Sequence, residues 1–188
     1  MDSLLRKIRA CEICKGALPL KPKPILNFSK AARIMIIGQA PGIKAHDSGK
    51  PWNDASGVRL REWLGVTDEQ FYDESIFAIV PLGFCYPGKG KSGDLPPRPE
   101  CSAKWMEPIL KNLDQIELKI LIGAYSQSYF LKTKSGDLTE TVRTWKSFAP
   151  EKFPLPHPSP RNNIWLAKNP WFEKNLVPQL QKTIQAIL

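Results

Sequence analysis

Apolar residues fall into four short runs along the 188-residue chain, each ending at a turn-forming residue. Ile34–Ile37, entered through Arg33, is mostly β-branched and stops at Gly38. Such a run suits a strand covered on both faces. Residues 76–80, halted by Pro81, and Leu118–Ile122, followed by Gly123, read the same way, and residues 153–155 form a shorter fourth strand. Helical spacing fills the intervals. Residues 1–10 predict a short helix. Residues 57–64 predict another, with Ser56 as its N-cap, Gly65 as its stop, and Val58, Leu60, Trp63 and Leu64 turned inward. Residues 100–113, 124–131 and 138–145 follow. A last helix is capped by Asn169, opens on Pro170, carries a stripe of Val177, Leu180, Ile184 and Ile187, and is kinked by Pro178. Strands alternating with helices predict an α/β fold, a three-layer α/β/α sandwich with a mainly parallel central four-stranded sheet. Residues 1–188 are expected to form a single domain.

Three stretches lack periodicity. Residues 15–27 hold Pro19, Pro22 and Pro24 and read as an extended connector. Residues 43–56 form a long loop, and residues 83–99 a loop rich in glycine and proline. Long loops in compact domains are often functional, and open α/β sheets bind ligands beyond the carboxyl ends of their strands. The turn Gly38, Gln39, Ala40, Pro41, Gly42 stands at such an end. Its glycines permit a sharp turn and close approach to a ligand; alone, it reads equally as an ordinary turn.

Charge narrows the choice of partner. The formal net charge is +9 and the pI about 9.4, which suits a polyanion, nucleic acid above all. No run of about 18 apolar residues exists, so no membrane span is expected, and the charged N-terminal segment does not read as a secretory signal. A cytoplasmic monomer is the expectation.

Candidate chemistry sits in few residues. The chain has two histidines. His157 lies among Pro156, Pro158 and Pro160 at a strand end, where a rigid backbone aims an imidazole without an ordering cost. Ser159, Arg161 and Asn162 beside it suit phosphate contacts. Asp47 and Asp54 are the carboxylates of the first long loop, each suited to act as general base or to stabilise a developing cation, or simply to cap a turn. Trp52 is either a base-stacking platform or a core anchor. Cys11 and Cys14 have metal-ligand spacing, and Cys85 and Cys101 complete a set of four. These suit zinc or an iron–sulfur cluster as well as burial as small apolar residues.

Together, Gly38-Gln39-Ala40-Pro41-Gly42 and His157-Pro158-Ser159-Pro160 resemble the two motifs of the uracil-DNA glycosylase superfamily, in the expected order and each at a strand end. The cysteines and the segment Gly83-Phe84-Cys85-Tyr86-Pro87-Gly88 resemble the iron–sulfur branches, families 4 and 5. The resemblance implies that Cys11, Cys14, Cys85 and Cys101 hold a [4Fe–4S] cluster, and that Trp52, in Gly49-Lys50-Pro51-Trp52, stacks on a flipped base. Asp54-Ala55-Ser56-Gly57 resembles the family 5 segment with a catalytic aspartate, which puts Asp54 ahead of Asp47. Gln39 departs from family 4, which has Glu there. The implied function is a DNA repair glycosylase acting on uracil or a related deaminated base. Residues 38–42 would cradle the base and His157 would assist its departure. Pro81 stands where related enzymes often place a base-reading Asn, which leaves the base open and keeps a second reading, a non-catalytic binder of damaged or single-stranded nucleic acid.

Overall fold

In the computed structural model, which describes residues 2–91, 93–131 and 137–188, the first apolar run forms strand β1 (Ile34–Ile37), with all four residues buried. Strands β2 (Phe77–Ile79), β3 (Leu118–Ile122) and β4 (Lys152–Leu155) join it in the order β2-β1-β3-β4. All three pairings are parallel. Ile34 lies opposite both Phe77 and Leu118, and Ile122 opposite Leu155. The pleat sends Ile34 and Ile36 to one face and Met35 and Ile37 to the other.

Each face is covered by helices, numbered here in chain order as α1 (Asp2–Arg9), α2 (Ile43–Ser48), α3 (Ala55–Leu64), α4 (Asp68–Tyr72), α5 (Pro99–Asn112), α6 (Gly123–Leu131), α7 (Leu138–Arg143), α8 (Asn163–Lys168) and α9 (Val177–Ile187). Leu60 and Trp63 of α3, Phe71 of α4 and Leu180 and Ile184 of α9 pack with Ile34 and Ile36. Ile8 of α1 and Trp105, Met106 and Ile109 of α5 pack with Met35 and Ile37. The result is the expected three-layer α/β/α arrangement, with a sheet that is parallel throughout. From β1 the chain crosses to β2; from β3 it crosses to β4. The crevice between β1 and β3 is therefore a topological switch point, where ligands of open α/β sheets bind. No helix among the described residues is long and apolar enough to cross a membrane.

Several local expectations are corrected. Residues 43–56 are not all loop, because α2 forms in their first half without an apolar stripe. Asp54, not Ser56, caps α3, its side chain accepting from the Gly57 N–H, and Val58 is 50% exposed rather than inward. The short α4 is held by a capping box between Thr67 and Gln70. Asn169 closes α8 instead of opening the last helix: its amide donates to the Trp165 carbonyl at 2.9 Å, and its Oδ1 accepts from the Trp171 indole at 3.1 Å. Before α9 the backbone makes a π-helical turn (Phe172–Leu176), as fits Pro178, which has no N–H for the carbonyl four residues earlier. Met1 of the first expected helix and residue 92 of the glycine-rich loop lie outside the described residues.

Candidate active site

A cavity of about 100 Å³ opens at the carboxyl edge of the sheet. Residues 38–42 after β1, Pro81 after β2 and His157 after β4 wall it, facing Trp52 and Asp54 from the segment before α3. The two motif loops, more than a hundred residues apart in sequence, thus meet across one cavity because their strands lie in one parallel sheet.

Trp52 is the strained member. Its φ is 56°, the one positive value for a non-glycine among the described residues. A bulky residue in the left-handed region costs on the order of 1–3 kcal/mol and persists only where its surroundings hold it. Tyr72 donates its hydroxyl to the Pro51 carbonyl at 2.9 Å, and the Arg61 guanidinium reaches the Trp52 carbonyl at 3.4 Å. Gly57 is required below: a Cβ there would lie 1.7 Å from the Trp52 carbonyl oxygen. Gly38 leaves room above, since a Cβ would stand a tight 3.0 Å from the indole. Gly38 thus serves close approach and not a positive φ, while Gly42 caps α2 with an ordinary extended φ of −77°. The indole lies 5.6 Å from the His157 ring, centroid to centroid, tilted by 36°.

His157 has a defined tautomer. The Ser159 N–H donates to its Nδ1 at 3.2 Å, so Nδ1 carries a lone pair and the neutral ring holds its proton on Nε2. Burial draws its pKa below the ordinary histidine value, with the Asp54 carboxylate pulling the other way. The loop is pinned by its own neighbours. Asn162 donates its amide to the His157 carbonyl at 2.7 Å, Arg59 of α3 donates to the Ser159 carbonyl at 3.2 Å, and Ser159 Oγ accepts from the Arg161 N–H at 3.2 Å. Asn162 and Ser159 therefore shape the loop, and Arg161 is exposed beside it.

Asp54 spends Oδ1 on the Gly57 N–H at 2.9 Å, and the cavity is lined by this half-buried residue. Asp47 sits elsewhere, exposed on α2 and outside the cavity lining; its carbonyl and that of His46 accept from the Lys23 ammonium. Of the two carboxylates, Asp54 is the one brought together with Trp52 and His157.

Asp94 also lines the cavity and was not singled out in the sequence. Burial pushes its pKa up, against the pull of Arg161 and Lys89. Its signal was only its place in a glycine- and proline-rich loop. What brings it in is long-range: the Gln39 amide donates to the Leu95 carbonyl at 2.9 Å, tying that loop to the turn after β1.

On the other face, Cys11, Cys14, Cys85 and Cys101 line one small cavity with Leu18, Pro22, Pro24 and Phe84. No disulfide joins them. Among the described residues no three His, Cys, Asp or Glu side chains are positioned to hold a single metal ion; the sulfurs surround a space instead. The Trp105 indole N–H donates to Cys11 Sγ at 3.4 Å, and N–H groups of Arg98, Lys23 and Phe84 lie beside Cys14, Cys85 and Cys101. Burial pushes the Cys85 thiol up to about 11 and the Cys101 thiol up to about 12. Buried sulfurs with N–H donors match the surroundings of a metal-bound thiolate, whose charge the metal and the donors offset.

A family model described as Uracil DNA glycosylase superfamily matches residues 27–181. The match includes β1 to β4, both motif loops, Cys85 and Cys101, and begins after Cys11 and Cys14.

Proposed function

The chain belongs to the uracil DNA glycosylase superfamily, whose members are DNA glycosylases, and we propose that it hydrolyses the N-glycosidic bond of a deaminated base, uracil or a related one, flipped out of DNA. The observation that carries this reading is the shared cavity of Asp54, Trp52 and a His157 whose Nε2 bears the proton.

A base inside the duplex is out of reach, so it is extruded into the cavity, least expensively from a mismatch. Trp52 stacks on it while residues 38–42 approach its edge. As the bond to the sugar breaks, positive charge develops on the sugar and negative charge on the base. Asp54, through the oxygen not used in capping, orients the attacking water or stabilises the sugar cation. His157 donates from Nε2 to the departing anion, a fixed dipole placed where charge develops. The neutral ring suits this role, because protonating Nδ1 would set it against the Ser159 N–H. Arg161 steadies the gap left in the duplex, with Ser159 and Asn162 holding the loop around it. The basic surface contributes salt-dependent affinity.

Cys11, Cys14, Cys85 and Cys101 would hold a [4Fe–4S] cluster in the space they surround; zinc, the alternative, would need the sulfurs to draw closer together than they stand here. Bound there, it would supply a structural cross-link between the N-terminal segment, the loop after β2 and α5, with no part in the hydrolysis.

Duplex and single-stranded oligonucleotides carrying uracil, hypoxanthine or xanthine, followed by alkaline cleavage, test the reading. Abasic product lost on His157→Ala supports it. Tight binding without product on any base would favour the non-catalytic binder, for which Pro81, a cavity residue with no side-chain hydrogen bond to offer, is the specific support.

A further inference from the structure

We propose that Asp94 reads the extruded base in place of the polar side chain that Pro81 lacks, and that it favours bases whose ring N–H has an oxo group on one side only, hypoxanthine foremost, over uracil. The inference rests on the glycosylase reading above and adds the substrate class.

Asp94 is held in position by backbone. Lys89 and Asp94 form an antiparallel bridge, the Leu95 N–H donates to the Gly88 carbonyl at 2.8 Å, and the Gly90 N–H to the Gly93 carbonyl at 2.6 Å. Gln39 fixes this hairpin-like turn to the cavity floor through Leu95. Asp94 Oδ2 lies 3.4 Å from the place a Cβ on Gly42 would take, so the carboxylate stands over the turn after β1. Of the other polar side chains of the lining, Asn53 is exposed, and three make contacts or face chemistry of their own. Asp54 caps α3 and faces the sugar chemistry, His157 faces the departing base, and the Gln39 amide nitrogen is bonded to Leu95.

An ionised carboxylate accepts hydrogen bonds and cannot donate them. Burial and the Asp54 carboxylate push the Asp94 pKa up, and Arg161 and Lys89 pull toward the ionised form, the one in which Asp94 reads the base. On uracil and xanthine the ring N–H lies between two carbonyl groups. A carboxylate that takes this N–H brings its second oxygen against a carbonyl oxygen. On hypoxanthine one neighbour of the N–H is a C–H, which accepts the second oxygen without repulsion. Adenine and cytosine present a lone pair at the equivalent position and are repelled. Guanine would satisfy the carboxylate, and its exclusion falls on the cost of opening a G·C pair compared with a mismatch.

The test uses the full-length protein and duplexes carrying hypoxanthine, xanthine or uracil, each opposite thymine. Single-turnover excision and equilibrium binding are measured for the wild type, Asp94→Asn and Asp94→Ala, with thermal unfolding as the folding control. The wild type is expected to favour hypoxanthine over both others by at least about 10-fold, the range of one charge-assisted hydrogen bond. Asp94→Asn offers one acceptor and one donor, which matches the uracil edge, and should shift the hypoxanthine-to-uracil ratio toward uracil by about 10- to 100-fold. Asp94→Ala should weaken hypoxanthine most. A wild type that prefers uracil, or a ratio unchanged within about twofold in Asp94→Asn, overturns the inference. If the wild type releases no base from any duplex, the glycosylase reading fails by itself. Asp94 is then judged by binding: hypoxanthine selectivity that disappears in Asp94→Asn upholds the base-reading role, and equal binding throughout overturns it.

Discussion

Replacing His157 with alanine removes one hydrogen-bond donor aimed into the cavity, and the structure says how much should be lost. Ser159 occupies Nδ1, so Nε2–H is the only N–H the neutral ring has to give. Losing one fixed donor to a developing anion typically costs about 10²–10³ in rate, or about 2.7–4 kcal/mol. DNA affinity should change by less than about threefold, because the phosphate contacts are untouched. Single-turnover excision at saturating enzyme separates the two quantities. The variant also leaves the Ser159 N–H without its partner, which costs about 1–3 kcal/mol of stability if no water replaces the ring. A pH signature accompanies this. Burial lowers the His157 pKa in the folded protein, so the unfolded chain binds the proton more readily. The histidine's contribution is fully present above the unfolded value of about 6.5 and is lost as pH falls through the depressed folded value. On acidification the wild type should therefore lose more melting temperature than His157→Ala. A variant that excises within about threefold of the wild type, or whose whole deficit is weaker binding, would refute the donor role.

Three further outcomes are expected. Asp54→Asn keeps a good N-cap for α3 and should melt within about 1 kcal/mol of the wild type, yet lose about 10²–10⁴ in rate; Asp54→Ala should also lose about 1 kcal/mol of stability, as differential scanning calorimetry and single-turnover kinetics will show. Gly57→Ala places a methyl 1.7 Å from the Trp52 carbonyl oxygen and should destabilise by about 3 kcal/mol or displace Trp52, read by chemical denaturation and near-ultraviolet circular dichroism. Cys101→Ser should lower the iron-to-protein ratio and the melting temperature together, measured by elemental analysis and calorimetry; unchanged iron would remove Cys101 from the ligand set.

The sheet was legible because each strand is a run of buried residues with a sharp stop. Arg33 and Gly38 bracket β1, and the alternation of Ile34 and Ile36 against Met35 and Ile37 follows from the pleat. The two motif loops were legible by their residues, and the parallel topology explains why they meet. The short helices were not. α2 has only Ala45 buried, and α4 depends on a capping box that no apolar period announces. Asp54 and Ser56 were both plausible caps, and only the backbone shows which accepts the Gly57 N–H. Asp47 and Asp54 look alike in sequence, but seven residues of helix and turn put one on the surface and the other in the cavity. Asp94 was out of reach because its position depends on Gln39, more than fifty residues earlier. The positive φ of Trp52 is likewise set by Gly57, Tyr72 and Arg61, none of them adjacent in the chain.

The central claim is hydrolysis of an N-glycosidic bond, and release of a free base tests it most directly. Purified protein in excess over hypoxanthine- and uracil-containing duplexes, with the small-molecule fraction identified by mass spectrometry, should yield the free base and an equal amount of abasic DNA. His157→Ala should cut this yield at early times by about two orders of magnitude or more. DNA that is bound but returned intact, with no free base from any deaminated substrate, would contradict the account.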